Sequence, residues 1–240
     1  MDKRVAKAVK HFWKTRTSQG RAQGTRTGRK DSGNRTAATG GKQLDGFVEL
    51  FDKLLQEAGL PRDTIFQGRR ADVTLPGFFR PTKQWDLLVV AKSHLLAAVE
   101  CKSLCGPSFG NNYNNRVEEA IGNATDIWTA YREGVFAASP KPILGYFLLL
   151  EQAEGSTRSV TSVENHFPVL EVFQDASYAT RCEETVRRFL RERCYDTASF
   201  LLSSRVSGKR GEYDEPAPDL NFSRMARLLC NQTLALFKSL

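Results

Sequence analysis

The chain has 240 residues and a formal net charge of +8, a length that allows one sizeable core or at most two small domains. No apolar run approaches the roughly 20 residues of a membrane-spanning helix, and the charged N-terminus lacks the apolar segment of a secretion signal. Five scattered cysteines without CxxC spacing indicate reduced thiols rather than a disulfide framework or a zinc site. These features predict a cytoplasmic protein without a membrane partner.

The positive charge is concentrated at the N-terminus. Residues 1–42 contain twelve Lys or Arg and two Asp, whereas the remainder has 23 basic and 25 acidic residues. Residues 15–41 are too rich in Gly, Thr and Arg to form an amphipathic membrane-surface helix. We therefore expect a basic, flexible DNA-binding arm over residues 1–41, with a short helix over 5–15, because such segments neutralise phosphates. A single domain is expected over 42–240.

The rest of the chain reads as helix, three strands, helix and strand, with further elements towards the C-terminus. Hydrophobic periodicity and turn residues delimit these elements. Helices are predicted over 44–58, 115–136, 178–194 and 222–240. Strands are predicted within 71–79 and over 84–90, 95–102, 142–151 and 198–203. This order predicts an α/β fold with a mixed β-sheet flanked by helices.

Three charged residues interrupt the two apolar runs at 84–90 and 95–102. These are Asp86 in QWDLLVV and Glu100 and Lys102 in HLLAAVECKS. If the two runs form a hairpin whose turn centres near Ser93, Asp86 lies opposite Glu100. Lys102 then points to the same face as Glu100, because side chains alternate along a strand.

Two carboxylates and one ammonium at this spacing are suited to metal-dependent phosphodiester hydrolysis. Asp86 and Glu100 would supply oxygen ligands to Mg²⁺, which lowers the pKa of a bound water. Lys102 would orient that water and stabilise the charge that develops on the phosphate. The alternative is a hairpin salt bridge between Glu100 and Lys102 with an unrelated Asp86. The apolar flanks favour the catalytic interpretation, because isolated ions are costly in a buried sheet.

Longer motifs in the sequence resemble those of a known protein family. The segments LPGFFRPTKQWDLLVV (75–90), VECKSLCGPSFGNNYNNRVEEAIG (99–122) and EPAPDLNFSR (215–224) resemble the XhoI family of restriction endonucleases, within the PD-(D/E)xK nuclease superfamily. GGKQLDGF (40–47) and ENHFPV (164–169) are similar as well. Trp85 rather than proline precedes Asp86, which departs from the superfamily label.

The resemblance implies a type II restriction endonuclease that depends on Mg²⁺ and cuts the palindrome CTCGAG after the first C. It also implies a homodimer acting on double-stranded DNA, with a DNA methyltransferase as functional companion. A two-fold palindrome is independently matched by a two-fold protein. Related nucleases complete the metal site with a carboxylate from the first helix, for which Asp45 is the first choice and Glu49 the second. A helix N-terminal acid that stabilises the macrodipole is the alternative.

Two segments are candidates for DNA contact. The first follows Lys102 directly and is expected to form a loop that contacts DNA. Asn side chains can pair with adenine, and Arg side chains with guanine, in the major groove. The residues of this segment are Asn111, Asn112, Asn114, Asn115 and Arg116. An Asn/Gly-rich turn that caps the next helix is the alternative. The second segment contains Lys209 and Arg210, for which a solvated connection is the alternative.

Two other functions fit the same residues. One is a non-catalytic, sequence-specific DNA-binding protein that uses the basic arm and the Asn/Arg segment. The other is a structure-specific or repair nuclease with the same core. Metal-dependent cleavage separates the endonuclease from the first alternative, and discrete fragments separate it from the second.

Overall fold

The computed structural model of the chain describes residues 2–27, 37–163 and 166–240. The α-helices have these bounds: α1 Lys3–Thr27, α2 Ala37–Glu57, α3 Phe109–Arg132, α4 Glu154–Thr157, α5 Tyr178–Arg191 and α6 Phe222–Ser239. The strands have these bounds: β1 Ile65–Gln67, β2 Thr74–Pro76, β3 Thr82–Gln84, β4 Leu87–Ala91, β5 His94–Leu104, β6 Ile143–Glu151 and β7 Thr197–Ser203.

A five-stranded mixed sheet in the order β1-β4-β5-β6-β7 forms the centre of the fold. Strands β1, β4 and β5 are antiparallel neighbours, whereas β6 lies parallel to β5 and β7 lies parallel to β6. Strands β2 and β3 pair separately as a small antiparallel ribbon. The predicted mixed sheet flanked by helices is confirmed. The short strands β1 and β3 had no recognisable sequence signal.

Each face of the sheet carries its own apolar core. On one face, α1, α2 and α6 pack together, and Phe47 of α2 and Phe222 of α6 lie against Phe147 of β6. On the other face, α3 and α5 cover a second cluster that includes Tyr146 and Ala98. Because side chains alternate along β5, Glu100 and Lys102 point to the same face as Ala98, beneath α3.

The β4–β5 hairpin closes through a two-residue turn and contains one irregularity. Lys92 and Ser93 have φ of 49° and 64°, and Ala91 pairs with His94. The register then shifts between Val89 and Val90, which leaves Leu96 as an extra residue on β5. This β-bulge shifts the register so that Leu87 pairs with Val99, which brings Asp86, the residue before β4, to the level of Glu100.

Replacing Lys92 with Asn and Ser93 with Gly is expected to raise the free energy of unfolding by about 1 kcal/mol. Both residues now adopt left-handed backbone angles, for which Asn-Gly is the preferred pair in a two-residue hairpin. Urea denaturation measures the gain. The reverse experiment, Ser93→Val, is the matched control and should lower stability, and equal stabilities for all three proteins would contradict this account of the turn.

Helix α1 differs from the flexible arm that the sequence predicted. It extends to Thr27, and its apolar residues Val5, Val9, Phe12 and Trp13 are fully buried in the core shared with α2 and α6. Gly208 makes room for Trp13, since a Cβ at this position would lie 2.1 Å from the indole ring. The helical N-terminal half of the expected arm is therefore part of the domain, and residues 28–36 lie outside the described residues.

None of the helices in the described part of the chain combines the length and apolar character that crossing a bilayer requires.

Candidate active site

Asp86 and Glu100 meet where β4 begins. The backbone N–H of Asp86 donates to the carbonyl of Val99 at 3.2 Å, which ties the residue before β4 to β5. The Oδ2 atom of Asp86 accepts from the backbone N–H of Cys101 at 2.7 Å. The hairpin thus brings the two predicted carboxylates together on neighbouring strands.

The carboxylate of Glu100 is almost completely enclosed, with 1% of the residue exposed. Its Oε1 lies 2.9 Å from Nζ of Lys102 and 3.2 Å from Nζ of Lys83. The side-chain amide of Asn123 donates to both oxygens at 2.9 and 2.8 Å, and the hydroxyl of Tyr195 donates to Oε2 at 3.3 Å. Sequence reasoning found Lys102 but missed Lys83, Asn123 and Tyr195.

These surroundings keep Glu100 ionised. Burial alone would raise its pKa, but the ammonium groups of Lys102 and Lys83 outweigh burial and lower the pKa to about 2. The pKa of Lys102 is raised, because the attraction of Glu100 exceeds the effect of burial. Burial raises the pKa of Asp86, and the hydrogen bond from Cys101 offsets only part of this effect.

Helix α3 contributes a second row of polar groups to the site. Oε2 of Glu119 lies 3.4 Å from Nζ of Lys102 and 2.5 Å from Nη1 of Arg116. Residues 116, 119 and 123 lie three and four positions apart, which puts them on one face of the helix. This spacing is the signal from which Glu119 and Asn123 could have been found, and it favours Glu119 over Glu118 as a neighbour of the site.

The donor chemistry of the site fits a hard divalent cation. Asp86 and Glu100 offer carboxylate oxygens. The backbone N–H of Cys101 donates to Asp86, and the carbonyl of Cys101 points to the same edge of β5 as that N–H. Across the described ranges, no three side chains of His, Cys, Asp or Glu converge on one point. A cation here would therefore take its remaining ligands from main-chain carbonyls, water and phosphate.

Comparison with known proteins shows the family of the chain. The model of the family described as "Restriction endonuclease XhoI" matches residues 23–215. The chain belongs to the XhoI restriction endonuclease family. It is 50% identical over 196 residues to the type II restriction enzyme BstVI of Geobacillus stearothermophilus, covering 80% of this chain and 87% of the relative.

Two further relatives carry the same description. The type II restriction enzyme XhoI of Xanthomonas vasicola is 42% identical over 189 residues, covering 79% of this chain and 75% of the relative. The type II restriction enzyme AbrI of Azospirillum brasilense is 46% identical over 166 residues, covering 69% and 73%. No solved structure matches the chain.

Membership of the XhoI family makes the chain a type II restriction endonuclease, that is, a site-specific deoxyribonuclease that acts on double-stranded DNA. Enzymes of this kind typically need a divalent metal. The resemblance, the fold class and the enzymatic function expected from the sequence are confirmed.

The first-helix carboxylates lie elsewhere than the metal-site prediction requires. Asp45 is exposed, and it faces His11 of α1 and Glu49; burial is the largest cause of its raised pKa. Phe47, two residues on, packs against the sheet, so Asp45 points away from it. Glu49 lines the groove between α1 and α2. This placement does not favour Asp45 or Glu49 as the carboxylate that completes the metal site, and their part in it stays a prediction.

The Asn-rich segment is helical rather than a loop. Helix α3 begins at Phe109, so residues 111–116 form its first turns. The side-chain amide of Asn112 donates to the carbonyl of Cys105 at 3.2 Å, whereas Asn111, Asn114 and Asn115 are exposed. Arg116 is half-buried and bound to Glu119. The polar residues expected to contact DNA therefore lie on a rigid helix end beside the active strand.

Lys209 and Arg210 lie beside α1. They belong to a short 3₁₀ helix, Ser207–Arg210, that packs against Trp13 through Gly208. Both residues are exposed, and Nε of Arg210 lies 2.7 Å from Oε1 of Glu212. Helix α1 packs on the sheet face opposite to Glu100, so these residues are separated from the catalytic face. Their contact with DNA stays a prediction.

Proposed function

We propose that this enzyme is an Mg²⁺-dependent homodimer that cuts both strands of CTCGAG after the first C. The family resemblance carries the sequence of the site. One observation carries the chemistry, namely that Asp86, Glu100 and Lys102 converge at the start of the β4–β5 hairpin. The homodimer follows from symmetry, because a palindrome presents the same scissile phosphate twice around a two-fold axis.

Each residue of the site has a distinct role in this proposal. Asp86 and Glu100 would hold Mg²⁺, together with the carbonyl of Cys101. When bound, Mg²⁺ supplies Lewis-acid stabilisation of the phosphate and acidifies the attacking water. Lys102, held 2.9 Å from Glu100, orients that water and stabilises the charge that develops on the phosphate. Lys83 is a second cation that neutralises the buried carboxylate, at the same oxygen as Lys102.

Two further parts of the proposal concern the cell and the N-terminus. We place the enzyme in the cytoplasm with a methyltransferase of the same specificity, since unmodified host sites would otherwise be cut. The basic N-terminal segment contributes phosphate contacts, now from the exposed lysines of α1. These are Lys3, Lys7, Lys10 and Lys14.

Digestion of a plasmid of known sequence tests the proposal. Discrete fragments whose ends map to C^TCGAG, formed with Mg²⁺ and not with EDTA, are the expected result. Binding without cleavage would instead indicate a non-catalytic DNA-binding protein. Cutting at junctions or damaged sites in place of CTCGAG would indicate a structure-specific or repair nuclease.

Substitution of Asn114, Asn115 or Arg116 with alanine is expected to reduce cleavage at the preferred site more than non-specific DNA binding. Each lost base contact is worth about 1–3 kcal/mol, and the loss of Arg116 also frees Glu119 beside Lys102. The measurements are single-turnover cleavage and binding to site and non-site DNA. Arg132→Ala, an exposed residue in the last turn of the same helix, is the matched control.

Equal losses of affinity for site and non-site DNA would show that the end of α3 contacts only phosphates. Unchanged affinity and cleavage in all three variants would remove these residues from the DNA interface.

A further inference from the structure

Two exposed phenylalanines lie at the tip of the β2–β3 ribbon. Phe78 and Phe79 belong to residues 77–80, which we call the aromatic turn, and are 48% and 67% exposed. Their rings touch edge to face, with centroids 4.9 Å apart. Adjacent exposed aromatic rings are unfavourable in water and mark contact surfaces on soluble proteins. The catalytic geometry described above does not use them.

The aromatic turn is held rigidly by one carboxylate of α3. Oδ1 of Asp126 accepts the backbone N–H groups of Phe78 and Phe79, both at 2.8 Å, and Oδ2 accepts Nε of Arg80 at 2.7 Å. A Cβ at Gly77 would lie only 2.6 Å from Asp126. Asp126 is buried and its pKa is lowered, since its bonds to Arg80 and to the backbone outweigh burial. The exposed rings are therefore presented by a fixed scaffold.

A continuous chain of hydrogen bonds joins this turn to the catalytic carboxylate. Nη2 of Arg80 donates to Oδ1 of Asn123 at 2.7 Å. The amide nitrogen of the same Asn123 donates to both oxygens of Glu100. Arg80 therefore fixes the orientation of the Asn123 amide, and that amide fixes Glu100. Asn123 and Asp126 are one helical turn apart, a rise of about 5 Å, so the aromatic turn lies close to Glu100.

We propose that the aromatic turn contacts the DNA duplex beside the cleaved phosphate and that Arg80 and Asn123 are positioning residues that link this contact to Glu100. The inference rests on the proposed function. DNA is the occupant that the surroundings favour, because Arg69 and Arg70 are exposed on the same segment, which has Asp72 as its only acid between residues 69 and 83. Arg80 and Lys83 also lie on this segment and are paired with Asp126 and Glu100. The surface also continues the one that must hold the scissile phosphate.

Phenylalanine side chains contact DNA by packing against sugars or by wedging between base steps. A duplex that does not fit would shift the turn, and the shift would reach Glu100 through Arg80 and Asn123. Cleavage would then depend on correct seating of the duplex as well as on base contacts from α3.

The first test removes both rings. Phe78→Ala/Phe79→Ala is expected to weaken binding of a CTCGAG duplex in Ca²⁺ at least tenfold, measured by fluorescence anisotropy. Val206→Ser, which removes another exposed apolar side chain beside α1, should leave the affinity unchanged. Unchanged affinity in the double variant would overturn the proposal. So would a change in oligomeric state by sedimentation, because the turn would then be a protein interface.

The second test separates the hydrogen-bonded connection through Arg80 from the DNA contact made by the two rings. Arg80→Lys keeps the charge but cannot bridge Asp126 and Asn123, so duplex affinity should stay within about threefold while single-turnover cleavage at saturating protein falls 10- to 100-fold. Combining Arg80→Lys with the double variant should reduce the cleavage rate by less than the product of the separate effects. Multiplicative losses, or a wild-type rate for Arg80→Lys, would overturn the link. Cleavage by the wild type tests the proposed function separately.

Discussion

Lys102→Ala is expected to slow DNA cleavage by about 10²- to 10⁴-fold while the chain stays folded and binds DNA. The ammonium lies 2.9 Å from Glu100 and 3.4 Å from Glu119, and it is the predicted partner of the attacking water. Its loss leaves Glu100 with Lys83, Asn123 and Tyr195, so the buried charge keeps compensation. Single-turnover cleavage with Mg²⁺ measures the rate, and binding in Ca²⁺ measures the complex, since Ca²⁺ also accepts oxygen ligands.

Asp86→Asn and Glu100→Gln should abolish cleavage as well. Glutamine is preferable to alanine at position 100, because removing this side chain would leave two partly buried lysines and an amide without their acceptor. Breaking a buried ion pair in this way costs about 3–5 kcal/mol, which would confuse loss of chemistry with loss of folding.

The matched control is Lys141→Ala, which breaks a lysine–carboxylate pair elsewhere, with Asp196, next to the start of β6. It should cleave like the wild type. A Lys102→Ala enzyme that also cleaves at the wild-type rate would exclude Lys102 from the chemistry, and a variant that no longer binds DNA in Ca²⁺ would indicate a structural role.

Trp13→Ala is expected to lower the free energy of unfolding by about 3–5 kcal/mol, and a chain without residues 1–20 is expected not to fold. The indole is fully buried, its Nε1 donates to the hydroxyl of Ser203 at 3.0 Å, and Phe12 contacts it edge to face. Urea denaturation followed by far-UV circular dichroism measures the loss. Lys14→Ala, an exposed residue of the same helix, should change stability by less than about 0.5 kcal/mol.

If the truncated chain had wild-type stability, residues 1–20 would not be part of the core, and the flexible arm expected from the composition would be the better description. The expected loss also changes how DNA binding by this segment is tested. Because truncation would remove the core, the phosphate contacts of α1 have to be probed by neutralising its exposed lysines one at a time.

The sequence was most informative where local pattern determines the structure. Two apolar runs around a short polar turn predicted the hairpin, and alternation placed Glu100 and Lys102 on one face. Helix α2 ends at Glu57, one residue before the predicted end at Ala58, and Gly59 with φ of 110° follows it. These features depend on neighbours in the chain, which is why they could be predicted.

The missing parts depend on how distant segments meet. Asn123 and Tyr195 contact Glu100 only because α3 and the segment before β7 cross the same sheet face, and no pattern within one segment specifies that crossing. The Asn-rich run resembled a turn, yet it forms the first turns of α3 because it continues a long helix that packs on the sheet. The burial of Phe12 and Trp13 was masked by the basic residues around them.

The bulge at Leu96 constrains how this hairpin varies among relatives. Eleven residues separate Leu87 from its partner Val99, an odd number, whereas a regular ladder around a two-residue turn places an even number between paired residues. The extra residue absorbs the difference. Insertions of two residues would only lengthen the hairpin, but a single insertion or deletion must be matched by gain or loss of a bulge. Without that compensation, Glu100 would turn towards α2, and the enzyme would lose its site while keeping its fold. Natural length differences in this hairpin should therefore be even numbers of residues, unless a bulge is gained or lost with them.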